Sequence, residues 1–439
     1  MGAMSIMNIK YFVEWFIYIV CIISLYKSAY YIYNLSIVRS FLKSKKSIDS
    51  NSCSMLILIP VIREQKVIIN TIEHFLNMRH ENIILYLAIA GTNREKQIDN
   101  YQTTKQIVEE WIINHHGLYK SSIADIFFTE IMEEKGDRAT QLNYAVQEFK
   151  SKYPNEKLDY IGVYDADSLP SVNTILEVSS IFLQHKEASA CQQPVNFVKA
   201  ANRMAVEGLN PILVANAIYQ STWTMIRELP SWIKYSRYPK DRLFPENVYL
   251  IGHGEFLRAS VYEEFKFPEF EITDGIQLGY RLSMSNKRIM PLTEFCDDDV
   301  PRKVSQLINQ HKRWFGGCMN IYQAYVWSKM HFGTNAIRQM LDAYWSQFCW
   351  GYASFIMISA VIASMLVDRH ACSILCIVIL VYCYVLPYLA HSMFKEKLNV
   401  RWIDWIVLPI AIAIKGIGPN LYFYEKLFCK EVKFVKVER

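Results

Sequence analysis

The stretch YIGVYDADSLP, residues 160–170, closes an apolar run with Asp165 and Asp167, two carboxylates one residue apart. Aspartate is common in turns, so the spacing alone favours a turn that ends a buried strand. The alternative is a cation site. A carboxylate pair at a strand end can hold Mg²⁺ or Mn²⁺, hard ions that take oxygen ligands and share their shell with phosphate oxygens. Such an ion offsets the charge of a departing diphosphate. EKGDRATQLNYA, residues 134–145, sets Lys135 and Arg138 around Gly136, where backbone can approach a ligand closely; it reads equally as a turn that opens a helix. EITDGIQLGYRLS (271–283) places Asp274 between an extended segment and a helix, and QLINQHKRWFGG (306–317) places Gln310, Arg313 and Trp314 on one helix.

These residues need a frame. SMLILIP (54–60), IILYLAIA (83–90), ADIFFTE (124–130) and YIGVYDAD (160–167) are short apolar runs that end in polar or turn residues. REQKVIINTIEHFLNMR and DRATQLNYAVQEF lie between such runs with apolar residues at helical spacing. Strands alternating with helices predict a parallel sheet covered on both faces, and such sheets bind ligands beyond the carboxyl ends of their strands. Asp165 and Asp167 stand at such an end.

Composition sets the outer bounds. The 439 residues are 52% hydrophobic and 14% aromatic yet 20% charged, which predicts a soluble domain joined to membrane segments. A net charge of +5 from scattered lysines and arginines argues against nucleic-acid binding. The ten cysteines form no CxxC pair and no zinc-spaced set, and read as reduced packing residues. Tyr11 to Val38 is apolar apart from Glu14, Lys27 and Asn34 and reads as an anchor; Arg39, Lys43, Lys45 and Lys46 after it mark the cytoplasmic side. Tyr344 to Val367 and Ala371 to Ala390 are two further spans, joined by a tight outer link at Asp368-Arg369-His370. Trp402 to Phe423 is broken by Asp404, Lys415 and GIGPN and reads as re-entrant or in-plane. Between residues 196 and 240, apolar and basic residues alternate at helical spacing, as in a helix lying in the membrane interface or one buried in a core.

In this order, Asp165-Ala166-Asp167, Thr273-Asp274 with LGYRL, and Gln310-His311-Lys312-Arg313-Trp314 resemble the membrane-bound family 2 glycosyltransferases, which include cellulose, hyaluronan and poly-N-acetylglucosamine synthases. IPVIRE (59–64) and KGDRATQLNYA are similar to that family's opening elements, and the likeness runs from about residue 54 to 320. It implies a GT-A-like (Rossmann-like) α/β domain with a mixed sheet, inserted between transmembrane helices. The division is 1–50 anchor and basic linker, 51–330 cytosolic catalytic domain, and 331–439 membrane region with a basic tail. By the same resemblance Asp165 and Asp167 bind a metal, Mg²⁺ or Mn²⁺, and with it the diphosphate of a nucleotide sugar. Gln310 and Arg313 clamp the diphosphate, Glu64 contacts the nucleoside, and Trp314 frames the acceptor. A guanidinium fork suits phosphate oxygens and an indole face suits a sugar ring. IGHGEFLR (251–258) resembles the family's loop at the acceptor mouth, where His253 touches acceptor or diphosphate, or is a structural loop histidine.

Two departures stand out. The family's aspartate pair after the second strand is replaced by AIAGTNREK, with no acid before Glu95, so a UDP-sugar donor rests on resemblance alone. Where the family reads TED, this chain reads Thr273-Asp274-Gly275, and the second acid, the family's catalytic base, is missing. Asp274 is the expected base instead, since an attacking hydroxyl must lose its proton to a nearby carboxylate; the alternative is that it caps the helix that follows. The triple Asp297-Asp298-Asp299 reads as a solvated turn. The expected activity is an inverting transfer that extends a cell-surface polysaccharide from the cytoplasmic face of the plasma (inner) membrane. Transfer to a lipid or lipid-linked acceptor, and an inactive membrane scaffold, are the alternatives. Membrane lipids are expected neighbours, and a homo-oligomer or an export partner is possible.

Overall fold

The computed structural model describes residues 2–44, 52–78, 80–98, 102–119, 123–132, 136–237, 246, 248–429 and 432. Lys45, Lys46 and Lys135, singled out above, lie outside them. Strands β1 (Cys53–Pro60), β2 (Ile83–Thr92), β3 (Asp125–Ile131) and β4 (Tyr160–Val163) form where the apolar runs predict them. They are parallel, and β1 is buried almost throughout because helices cover both faces of the sheet. The fourth strand is shorter than its apolar run: the chain leaves the sheet after Val163, so Asp165 and Asp167 stand in the turn at its carboxyl end.

The sheet is mixed, with order β3-β2-β1-β4-β7-β5-β8, completed by β5 (Ala188–Gln192), β7 (Glu255–Arg258) and β8 (Arg288–Pro291). Strand β7 runs against both β4 and β5, with Val163 opposite Glu255. That reversal brings the start of β7, and the loop before it, to the edge where β4 ends. The Gly254 N–H donates to the Val163 carbonyl at 2.8 Å, and the Gln193 N–H to the Gly254 carbonyl at 2.8 Å. A second, two-stranded sheet pairs β6 (Val195–Asn196) with β9 (Cys296–Asp297) beside it.

Helix α1 (Gly2–Lys43) serves two environments. Ile17, Val20 and Cys21 pack with Ala360, Ala371 and Leu375, while Tyr31, Leu35 and Val38 join the core of the sheet domain with Met225, Ile226 and Trp232. Asn34 Nδ2 donates to the Ile226 carbonyl at 2.8 Å, fixing the helix on the domain. Among the described residues three helices are long and apolar enough to cross a membrane: Tyr11–Lys43, Ile337–Val367 and Arg369–His391. The segment from Trp402 breaks into Trp402–Ile406, Leu408–Ile414 and Ile417–Phe428. The helix Pro211–Trp223 is buried from Leu213 to Thr222 and packs against Leu408–Ile414.

Candidate active site

Arg138 is the hub of the site. It is the first residue of α2 (Arg138–Lys152), whose start is fixed by a capping box in which Asp137 accepts from the Thr140 N–H at 2.8 Å. Its guanidinium reaches Asp165 Oδ1 at 3.3 Å and also bonds Asp274 Oδ2 and the Gly252 carbonyl. Burial opposes its charge, but Asp274, Asp165 and Glu255 together hold it above the ordinary arginine range. One cation therefore ties the ends of β4, the loop before β7 and the start of α3 (Asp274–Met284).

Asp274 does not cap that helix. Thr273 is the N-cap, without a side-chain cap bond, and Asp274 is the first helical residue, nearly buried, with its carboxylate turned to Arg138. The missing second acid has a structural reason. A Cβ on Gly275 would lie 2.4 Å from Gly252 Cα and N and 3.0 Å from Glu255 Oε2, and one on Gly279 would lie 2.1 Å from Leu250 N. Two glycines a turn apart thus let the loop before β7 lie directly on the helix. Gly252 itself has φ +89°, a conformation that side chains resist.

Glu255 is the residue that sequence reasoning missed. It is fully buried beside Asp274, and among the described residues no side chain hydrogen-bonds its carboxylate. Burial, then Asp274, push its carboxyl up to about 8 against the pull of Arg138 and the Gly252 backbone. The sequence signal is slight: an acid that opens the short strand EFLR, ahead of Phe256 and Leu257. The acidic triple also departs from a solvated turn. Asp297 belongs to β9, Asp299 pairs with Arg203, and Asp298 faces His253, with Nε2 to Oδ2 at 3.7 Å.

A single cavity of about 1220 Å³ collects Glu64, Arg138, Asp165, His253, Asp274, Gln310, Arg313 and Trp314; Asp167 does not line it, and Lys135 is outside the described residues. Gln310, Arg313 and Trp314 project from α4 (Val304–Met319). Behind them His311 sits edge-on to Trp314 and Trp350, at 5.6 and 5.8 Å, and burial drives it down to about 3, so it is neutral. This helix is braced by Ile417–Phe428 through Lys312 Nζ to Glu425 Oε1 at 2.8 Å and Phe315 against Tyr422. Glu95, the acid nearest the altered family position, is committed elsewhere: it accepts from the Thr104 N–H and hydroxyl at 2.7 and 2.8 Å.

The donor chemistry fits a hard cation. Asp165 and Asp167 offer carboxylate oxygens on one turn, and among the described residues no group of three or more His, Cys, Asp or Glu is arranged around a common centre. A cation held by Asp165 and Asp167 would need phosphate and water oxygens to complete its shell.

The chain matches the model of Glycosyl transferase family group 2 over residues 160–386, just over half its length. Among solved structures it is similar to the mannosyltransferase PcManGT from Pyrobaculum calidifontis in complex with GDP-Man and Mn²⁺, at 12% identity and a TM-score of 0.53, with 94% of this chain and 100% of that chain covered. It is also similar to S. aureus TarS 1–349 in complex with UDP-GlcNAc, at 12% identity and a TM-score of 0.39, covering 85% and 91% of the two chains. The first likeness shows a shared GT-A-like fold; the second adds nothing to it. No curated protein sequence matches the chain significantly.

Proposed function

The chain belongs to glycosyl transferase family group 2, and from that premise we propose that it moves a sugar from a nucleotide sugar to an acceptor, with inversion, at the cytoplasmic surface of the membrane. The observation that carries this reading is the single cavity in which Asp165, Arg138 and Asp274 meet Gln310, Arg313 and Trp314. Arg138 and Arg313 receive the diphosphate as planar forks, Gln310 donates to it, and Glu64 lies on the nucleoside side. Asp165 and Asp167 would hold Mg²⁺ or Mn²⁺, which when bound neutralises charge on the leaving diphosphate.

Asp274 takes the acceptor's proton as the new bond to the anomeric carbon forms and the bond to the diphosphate breaks. A carboxylate paired with arginine is a weak base. The donor's diphosphate competes for Arg138, draws it off Asp274, and so frees the base only once donor is in place. Trp314 supplies the apolar face for the acceptor's ring, and His253 lines the same cavity. Residues 1–50 anchor the chain, 51–330 form the cytosolic catalytic domain, and 331–439 return to the membrane with the link at Arg369 outside.

A panel of sugar nucleotides, scored by release of free nucleoside diphosphate from the purified full chain, tests the reading. Release from one donor, lost in Asp274→Asn while nucleotide affinity is kept, supports it. No release from any donor would make the protein a scaffold.

A further inference from the structure

Trp314 belongs to a pairing that recurs. On α4 it stands four residues after Gln310; on the span Ile337–Val367, Trp350 stands three residues after Gln347; on the helix Pro211–Trp223, Trp223 stands three residues after Gln220. Residues three or four apart share a helix face, and all six side chains line the cavity that holds Arg138 and Asp165. Gln347 donates to Cys318. Among the described residues nothing hydrogen-bonds its Oε1, Gln310 Oε1 or Gln220 Nε2. Gln347 and Gln220 are only 5% and 8% exposed, and the three indoles are half-buried. A buried amide atom without a partner is costly, so three on one cavity wall, each beside an indole, call for a ligand rich in hydroxyl groups.

The pairs follow one another away from Asp274. Gly317 of α4 lies directly on Thr273, the residue before Asp274: a Cβ there would stand 1.8 Å from the Thr273 Oγ1. Trp314 is one turn back from that contact, and His311 is one turn further. Trp314 and Trp350 both stand perpendicular to the His311 ring, at 5.6 and 5.8 Å, so the two indoles are close neighbours on one neutral imidazole. Phe315 also packs on Trp350, at 5.7 Å. Beyond Trp350, the Gly351 carbonyl oxygen lies 3.2 Å from where a Cβ on Gly416 would stand, and Lys415 reaches within 5.2 Å of the Trp223 ring centre. The wall therefore runs from Asp274 past Trp314 to Trp350, and on toward Trp223.

We infer that the acceptor is a saccharide at least two rings long, and that Trp350 and Gln347 form the subsite for its second ring while Trp314 carries the first. This rests on the glycosyl-transfer reading of the site. The Trp350 indole offers an apolar face to the second ring, and Gln347 Oε1 accepts from one of its hydroxyls. Held there, the chain keeps its first ring on Trp314 and within reach of Asp274. The step balances simply. A hydroxyl of the first ring bonds to the donor's anomeric carbon, its proton passes to Asp274, and the nucleoside diphosphate leaves with the electron pair of the broken bond. An acceptor of one ring would occupy Trp314 alone and leave Gln347 Oε1 unpaired.

The purified full chain, with the donor that the nucleotide panel identifies, is given acceptors of one, two and three glucose, mannose or N-acetylglucosamine units, free and as octyl glycosides. In the series that the protein uses, kcat/KM should rise about tenfold from one ring to two, on the scale of one ring contact with its hydrogen bond. The octyl glycosides separate a lipid-linked chain from a free one, and the step from one ring to two must appear in whichever is used. Trp350→Ala and Gln347→Leu should each flatten that step. Trp350→Tyr, which keeps a ring face, should retain most of it, and melting midpoints report folding. A parent that gains nothing from the second ring in any series would overturn the inference, as would variants of unchanged midpoint that keep the full step. Calorimetry reads the subsite without turnover: the two-ring acceptor should bind Trp350→Ala about tenfold more weakly than the parent. If it does so while no sugar nucleotide is consumed, the subsite stands and the glycosyl-transfer reading falls.

Discussion

Gly275→Asp would restore the acid that the family carries at this position, and it should harm the enzyme. The new Cβ would lie 2.4 Å from Gly252 Cα and N, and must move out by about 1 Å to reach the 3.4 Å of ordinary contact. Both partners are backbone, so no side chain can swing aside. Overpacking of this kind costs about 1–3 kcal/mol. The added carboxylate also enters a neighbourhood that already holds Asp274, Asp165 and Glu255 around one arginine. Unit charges about 4 Å apart at an effective dielectric near 20 repel by about 4 kcal/mol, less to the extent that Glu255 keeps its proton. The loop that yields is the one whose Gly252 carbonyl accepts from Arg138, so strain reaches the diphosphate clamp. A displacement near 1 Å at a catalytic group can cost roughly 100-fold in rate. Transfer kinetics and the melting midpoint in detergent should therefore both fall, and Gly275→Ala should show the steric share without the charge. If Gly275→Asp transferred sugar faster than the parent while Gly275→Ala melted normally, the loop would not lie on the helix as described and the reasoning would fail.

Asp167→Ala, or excess chelator, should abolish transfer while leaving the fold intact by circular dichroism; full activity in either condition removes the metal assignment. Arg313→Lys should weaken nucleoside diphosphate binding, because an ammonium cannot reproduce the fork, whereas Trp314→Ala should raise the KM for acceptor with donor affinity nearly intact; calorimetry that finds equal losses would merge the two roles. Glu255 keeps a proton up to about pH 8 in the folded protein but only to about its ordinary 4.5 when unfolded. Its contribution to stability is thus complete below about pH 4.5 and is lost as pH rises toward 8. Glu255→Gln should match the parent's melting midpoint near pH 5 and exceed it above pH 8; parallel curves would show that the glutamate is not held protonated.

Much of this protein is written in local pattern. Short apolar runs such as Leu56 to Ile59, bounded by turn residues and alternating with helical patterns, read as strands covered on both faces, and three apolar stretches of adequate length announce helices that suit a bilayer. Period and length are local properties, so they survive without the fold. The order DAD, TDG and QHKRW likewise marks three elements that each send residues into one cavity, Asp165, then Asp274, then Gln310, Arg313 and Trp314, because each stands at the end of an element or on one helix. What the sequence could not decide were relations between distant segments. Nothing local says that β7 runs backwards and so carries Glu255 to the end of β4, or that Gly275 is small because the loop at Gly252 lies on it. Nor does spacing say that Asp274 shares Arg138 with Asp165 across 109 and 136 residues of chain, a partnership set by burial of opposite charges around a single cation.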